Sequence, residues 1–142
     1  MKTGISAWTQ VAADKKLIRP MLVEYGRLKR IQSSGKYWTS LAEPKVSRTL
    51  SSKVTPIITD IRYDEYPEDE VWWLKEHLNG ILIHVSRLDK NGNIVEPANP
   101  DEEENDAKVK AAAQYRIVWH TVDNMDELEP HIEWLVKRIR GL

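Results

Sequence analysis

From residue 54 onward the chain alternates short apolar runs with helix-compatible stretches, and this alternation restricts the fold more than any other feature. The runs are VTPIITDI (54–61), GILIHVSR (80–87) and YRIVWH (115–120). The first two are near-continuous apolar and β-branched runs that suit buried strands, whereas YRIVWH alternates and reads as a third strand. Between the first two, PEDEVWWLKEHL (67–78) opens with Pro67 and acids, which favour the positive end of a helix, and Asn79-Gly80 can end it. Residues 107–114 read as a short Ala-rich helix. MDELEPHIEWLVKRIR (125–140) reads as an amphipathic helix with Leu128, Ile132, Leu135 and Ile139 inward. Strand and helix in strict alternation predict a three-layer α/β fold, with a mostly parallel sheet of about three strands and flanking helices. DKNGN (89–93) reads as a turn that can form a hairpin tip. Residues 88–106 form a polar, acidic, lid-like loop.

The part before residue 54 is helical. Leu17, Ile18, Met21, Leu22, Tyr25, Leu28 and Ile31 recur at helical spacing, with Asp14 placed to cap the start. Pro20 predicts a kink, or a main helix that begins near Arg19. Gly35 breaks the pattern. A second helix is expected over 37–50, with Trp38, Leu41, Val46 and Leu50 inward and Pro44 as its weak point. The whole chain of 142 residues suits one domain: a helical region over 8–53 and an α/β core over 54–142.

Charge sharpens this division. The formal net charge is −1, which gives no whole-chain argument for binding nucleic acid or an anionic membrane. Residues 15–53, however, carry Lys15, Lys16, Arg19, Arg27, Lys29, Arg30, Lys36, Lys45, Arg48 and Lys53 against Glu24 and Glu43, while 64–70 and 101–106 are acidic. A basic first third predicts an anionic ligand on one side of the molecule. The absence of cysteine excludes disulfides, thiolate catalysis and Cys-based metal sites. No leader-like start and no apolar run of about 20 residues is present, so a cytoplasmic protein that does not span the membrane is expected. Phe is absent while Trp occurs six times, and these indoles are expected to fill core volume.

Asp60 and Arg62 lie two apart at the end of the first run, so on a strand both face one side. There the acid could hold a metal or order water and the arginine could grip a phosphate, or the two could form a structural ion pair. Arg27 and Arg30 share a helix face with Arg19 near the same stripe, suited to a phosphate monoester or to solvent alone. Tyr37 and Trp38 could stack a base or anchor the second helix. Arg87 ends the second run beside the lid-like loop. His77, His84, His120 and His131 show no ligand spacing, and no G-x-S-x-G, H-E-x-x-H or EF-hand pattern occurs. The phosphate-cradling loop G-x-x-x-x-G-K-[ST] is absent from the sequence.

Taken in order, RPMLVEYGRLKR, KYW, IITDIRY, GILIHVSR and NMDEL with the closing helix resemble the phage-type deoxynucleoside monophosphate kinases, over about residues 8–140. The resemblance implies a P-loop kinase fold, and transfer of the γ-phosphate of ATP, with Mg²⁺, to a deoxynucleoside monophosphate. It implies that Arg19, Arg27, Arg30, Tyr37 and Trp38 serve the monophosphate region, that Asp60 and Arg62 sit at the transfer centre, and that Arg87 opens the lid. The chain departs from that pattern. The family's first strand and Walker loop have no counterpart. RYDEYPED stands where an Asn-Glu pair is usual, and ANPDEEEND lacks the lid's His and Ser. The expectation is a truncated kinase-like chain that is inactive alone. The two strands that would flank the missing one either pair directly or accept a strand from another chain. The alternative is a non-catalytic binding or assembly module on a kinase-derived core, including a strand-exchanged homo-oligomer.

Overall fold

A computed structural model describes residues 6, 9–97, 100–120, 126 and 128–141. The fold is mixed α/β. Helices α1 (Ala12–Ser33), α2 (Lys36–Ser51) and α3 (Glu70–Trp72) precede strand β1 (Ile83–Leu88), followed by α4 (Pro100–Ala112), β2 (Tyr115–His120) and α5 (Glu129–Arg140). A π-helical turn, Trp73–His77, continues α3. Strands β1 and β2 pair in parallel, Ile83 opposite Tyr115 through Leu88 opposite His120. Helix α4 makes the crossover that a parallel pair requires.

The alternation read from the sequence survives in its second half and fails in its first. Residues 54–61 are not a strand: they run without ladder partners, so the described sheet has two strands where about three were expected. Pro56 removes one ladder donor, and Asp60 adopts a left-handed φ of +68° that breaks an extended run. Ile58 and Ile61 still pack against the core of Val71, Leu74, Leu82 and Val109, while Ile57 is 91% exposed. The run is apolar because it contributes some of its side chains to a core, with no sheet around it.

The helices differ from expectation in instructive ways. Helix α1 runs from Ala12 straight through Pro20, with no separate start at Arg19, and Val11 rather than Asp14 occupies its N-cap. Its apolar spacing does not mark a buried stripe: Ile18 is buried, whereas Leu17, Met21, Leu28 and Ile31 are exposed. In α2, Val46 faces inward but Trp38, Leu41 and Leu50 do not, and of the residues expected inward along the last helix Leu128 is buried while Ile132 is exposed. Of the tryptophans whose side chains are described, Trp73 is buried and Trp38 and Trp134 are exposed, so the indoles do not all fill the core. The acidic segment expected as loop is the first half of α4. Pro100 starts the helix without losing an internal bond, and Glu102–Glu104 sit at its positive end.

Two junctions set the direction of the chain around α2 and β1. Ser34 (φ +51°) and Gly35 (φ +88°) turn it sharply from α1 into α2, and the Gly35 N–H donates to the Arg30 carbonyl at 2.9 Å. A Cβ on Gly35 would lie 2.8 Å from Asp69 Oδ1, so glycine is needed here for approach as well as for backbone sign. After β1, the DKNGN segment does form a hairpin tip. Asp89 Oδ1 accepts from the N–H groups of Asn91 and Asn93, each at 2.8 Å, Gly92 takes φ +84°, and Leu88 bridges antiparallel to Ile94.

Candidate functional site

The densest polar constellation joins α1 to residues 60–70. Arg30, only 4% exposed, forks its guanidinium onto Asp69: Nη1 donates to Oδ1 at 3.0 Å and Nη2 to Oδ2 at 2.9 Å. Nη2 also donates to Glu65 Oε2 at 3.1 Å, and Glu70 Oε1 lies 3.8 Å from Nη1. The Tyr63 ring stacks on the guanidinium at 3.5 Å. Asp69 is fully buried and accepts further bonds from the N–H groups of Glu65, Tyr66 and Glu70. Such a carboxylate, forked by an arginine and ringed by backbone donors, is the well-satisfied form in which a charge can be buried.

Electrostatics follow the geometry. Burial alone would raise the Asp69 pKa, but the Arg30 fork and the Glu70 and Glu65 N–H groups outweigh it and hold the carboxyl below its usual value. Its contribution to stability is therefore present at neutral pH and is lost as the pH falls through the depressed value. Glu70 behaves oppositely. Burial raises its pKa, against the N–H groups of Arg62 and Tyr63 and the charge of Arg30. A raised carboxyl favours the folded state below the ordinary glutamate value, about 4.3, and that advantage is lost as the pH rises through the raised value. Glu70→Gln, which keeps an acceptor for the Arg62 N–H, is accordingly expected to melt no lower than the parent at pH 7. The gap should close near pH 4, as thermal melts at the two pH values would read; a gap that widened toward acid would contradict this account.

The second constellation lies at the end of the 54–61 run. Arg62 Nη2 donates to Asp60 Oδ1 at 2.7 Å and Nη1 to Glu102 Oε1 at 2.8 Å, tying this segment to α4. The Arg62 N–H donates to Glu70 Oε2 at 2.8 Å, which links the two constellations. The hydrogen bond from Arg62 holds the Asp60 carboxyl below its usual range.

The sequence-derived candidates thus separate. Arg30 and Arg62 are brought together, each engaged by the chain's own carboxylates. Arg27 is exposed and pairs with Glu24 at 3.0 Å. Arg19 lies on the exposed face of α1 and Arg87 is exposed on β1, apart from these networks. Tyr37 and Trp38 meet edge-on at 4.8 Å beside Tyr25, with Lys29 Nζ over the Tyr25 and Tyr37 rings at 5.6 and 5.1 Å, a surface cluster at the α1–α2 turn. Sequence reasoning missed Asp69 and Glu70, whose only signal was their place at the start of a helix within a run of acids.

The cleft lined by Arg27, Arg30, Tyr63, Glu65, Glu104 and Asn105 measures about 90 Å³, far below the roughly 300 Å³ at which small-molecule sites begin. Among the described residues no three His, Asp or Glu side chains converge as a metal site, and Arg62 stands between Asp60 and Glu102. With the guanidinium on both, these carboxylates do not fit a Mg²⁺ ion. One turn further along α4 from Glu102, Asp106 binds the buried His84 through Nε2 at 2.9 Å, with Ser86 Oγ 3.5 Å from Nδ1. Ser86 is only 9% exposed, and these bonds stitch β1 to α4. No helix of the described residues is long and apolar enough to cross a membrane.

Comparison of the chain with protein-family models, with curated proteins and with solved structures finds no match.

Proposed function

We propose that this chain is a self-assembling binding module built on a mixed α/β core, and that its kinase-like segments serve architecture rather than phosphoryl transfer. One observation carries this reading: Arg30 and Arg62, the residues best placed to grip a phosphate, are both held by carboxylates of the chain itself. An arginine forked onto a buried aspartate has its directional donors committed. Exposed apolar side chains on α1, α2, β1 and α5 supply surface for association. Sedimentation velocity is expected to show a concentration-dependent dimer that none of the four deoxynucleoside monophosphates alters. A monomer at every concentration, or association driven by nucleotide, would overturn the proposal.

A second reading, deoxynucleoside monophosphate binding, draws on the exposed Tyr25 and Trp38 with the half-buried Tyr37 next to them, on Lys29 beside these rings and on the exposed Arg19. Aromatic faces stack bases and a neighbouring ammonium suits a phosphate. A coupled assay with ATP and Mg²⁺, run beside calorimetry of the same nucleotides, separates the two readings. Turnover favours the kinase, binding without turnover favours a nucleotide-holding relic, and neither leaves the assembly module.

A further inference from the structure

Among the described residues, one edge of strand β1 is covered only in part. Leu82 receives the N–H groups of Gln114 and Tyr115 on its carbonyl at 3.0 and 3.3 Å, and its N–H donates to Gln114 Oε1 at 2.8 Å. Leu82 therefore faces β2. Because backbone groups alternate along a strand, His84 and Ser86 face β2 as well, and Ile81, Ile83 and Val85 point their N–H and C=O groups to the opposite edge. There the chain's own hairpin begins to cover β1: the Val95 N–H donates to the Arg87 carbonyl at 2.8 Å and the Asp89 N–H to the Asn93 carbonyl at 2.8 Å. Continuing that register sets Pro97 opposite Val85, a position that needs an N–H donor. Proline has none, and the hairpin pairing stops. No hydrogen bond to Ile81, Ile83 or Val85 on this edge is formed among the described residues.

The uncovered stretch is bounded on both sides. Val95 occupies the edge at Arg87, and at the other end Asn79 (φ +51°) and Gly80 turn the chain back toward Leu74, whose carbonyl accepts the Gly80 N–H at 2.8 Å. The open stretch between them is centred on Ile83. Its outward residues are branched and uncharged, with Ile81 47% and Val85 48% exposed, and no Lys, Arg, Asp or Glu occurs from Gly80 to Ser86. Natural edges are usually protected by charge or proline. From Gly80 to Ser86 this one carries neither, and Pro97 ends the hairpin that would otherwise extend along it.

Resting on the assembly reading above, we propose that this edge pairs antiparallel with the same edge of a second copy, about a two-fold axis at Ile83. Ile83 then exchanges both backbone bonds with Ile83 of the second copy, and Ile81 and Val85 do so with Val85 and Ile81. The pairing is self-complementary. The outward groups recur at the alternate residues that antiparallel bonding requires, like charges nowhere oppose, and the open stretch matches its own length. The product is a continuous four-strand sheet, β2–β1–β1–β2, in which the apolar side chains of Ile81, Ile83 and Val85 from both copies lie in a row.

The chain has no cysteine, so a single introduced thiol can form only an intermolecular disulfide. Across a hydrogen-bonded antiparallel pair the Cα atoms lie about 5.5 Å apart, within disulfide reach. Ile83→Cys is therefore expected to oxidise to a covalent dimer. Ile81→Cys and Val85→Cys, each displaced from its own counterpart along the strand, should not. Val85→Pro, which removes an outward N–H and keeps the β2 ladder, should raise the dimer dissociation constant about tenfold or more. A dimer that persists in Val85→Pro, with no preference of the cross-link for position 83, overturns this edge while the assembly reading stands. A wild-type monomer at every concentration overturns both. If the Val85→Pro chain fails to fold, the position dependence of the cross-link decides.

Discussion

Asp69→Ala is expected to leave the chain unfolded, or to cost it about 3–5 kcal/mol, the usual penalty for removing one partner of a buried ion pair. The penalty lies in what remains. Arg30, with its side chain 5% exposed, would keep a charge with only Glu65, itself half-exposed, and the more distant Glu70 to balance it. The N–H groups of Glu65, Tyr66 and Glu70 would lose their acceptor in the same step. Urea denaturation followed by circular dichroism measures the loss. The double replacement Arg30→Met with Asp69→Leu should recover much of it, because no unpaired charge is then left behind. A single-variant loss under about 1 kcal/mol would mean that water reaches the pair, as it does surface bridges.

Trp73→Ala should be comparably severe, at about 3–5 kcal/mol for a truncated buried aromatic. Trp73 is 6% exposed in the π-helical turn, and its Nε1 donates to Glu43 Oε2 on α2. His77 Nε2 reaches the same carboxylate at 3.2 Å, so Glu43 gathers the turn onto α2. Trp73→Phe separates the two contributions: it keeps most of the ring volume and leaves the half-buried Glu43 to solvent and His77. Thermal melts should rank wild type, Phe and Ala in descending order, and an Ala variant equal to the Phe variant would assign the effect to the hydrogen bond rather than to packing.

The parts of the fold legible in the sequence are those set by local chemistry. The β1 and β2 runs, the second half of the helix between them, the DKNGN turn and the Gly35 break all follow from residues within a few positions of each other. The third strand does not form because an apolar run reports burial and not pairing: Ile58 and Ile61 are packed in a core, yet Pro56 and the left-handed Asp60 leave the backbone without a ladder. The stripe on α1 misleads for a related reason. Periodicity marks a face that can be covered, and in this chain Leu17, Met21 and Leu28 lie exposed. At the candidate site, Asp60 and Arg62 do pair, but not as neighbours on one face of a strand, because the strand that their spacing presupposed does not form. Arg30 is legible as a candidate arginine, but its partner Asp69 stands 39 positions away, and no local pattern joins them.

That separation also bears on how the molecule opens. The Arg30–Asp69 fork pins together the two ends of a stretch containing all of α2 and the irregular 54–61 segment. Closing a loop of such length costs chain entropy that grows only slowly with size, roughly as 3/2 RT ln n. Once closed, neither α2 nor the segment beyond it can detach through its ends. Their amides belong to one cooperative unit whose exchange with solvent requires the fork to part, so the slowest-exchanging hydrogens should spread across α2 and residues 65–70 together rather than follow either element alone.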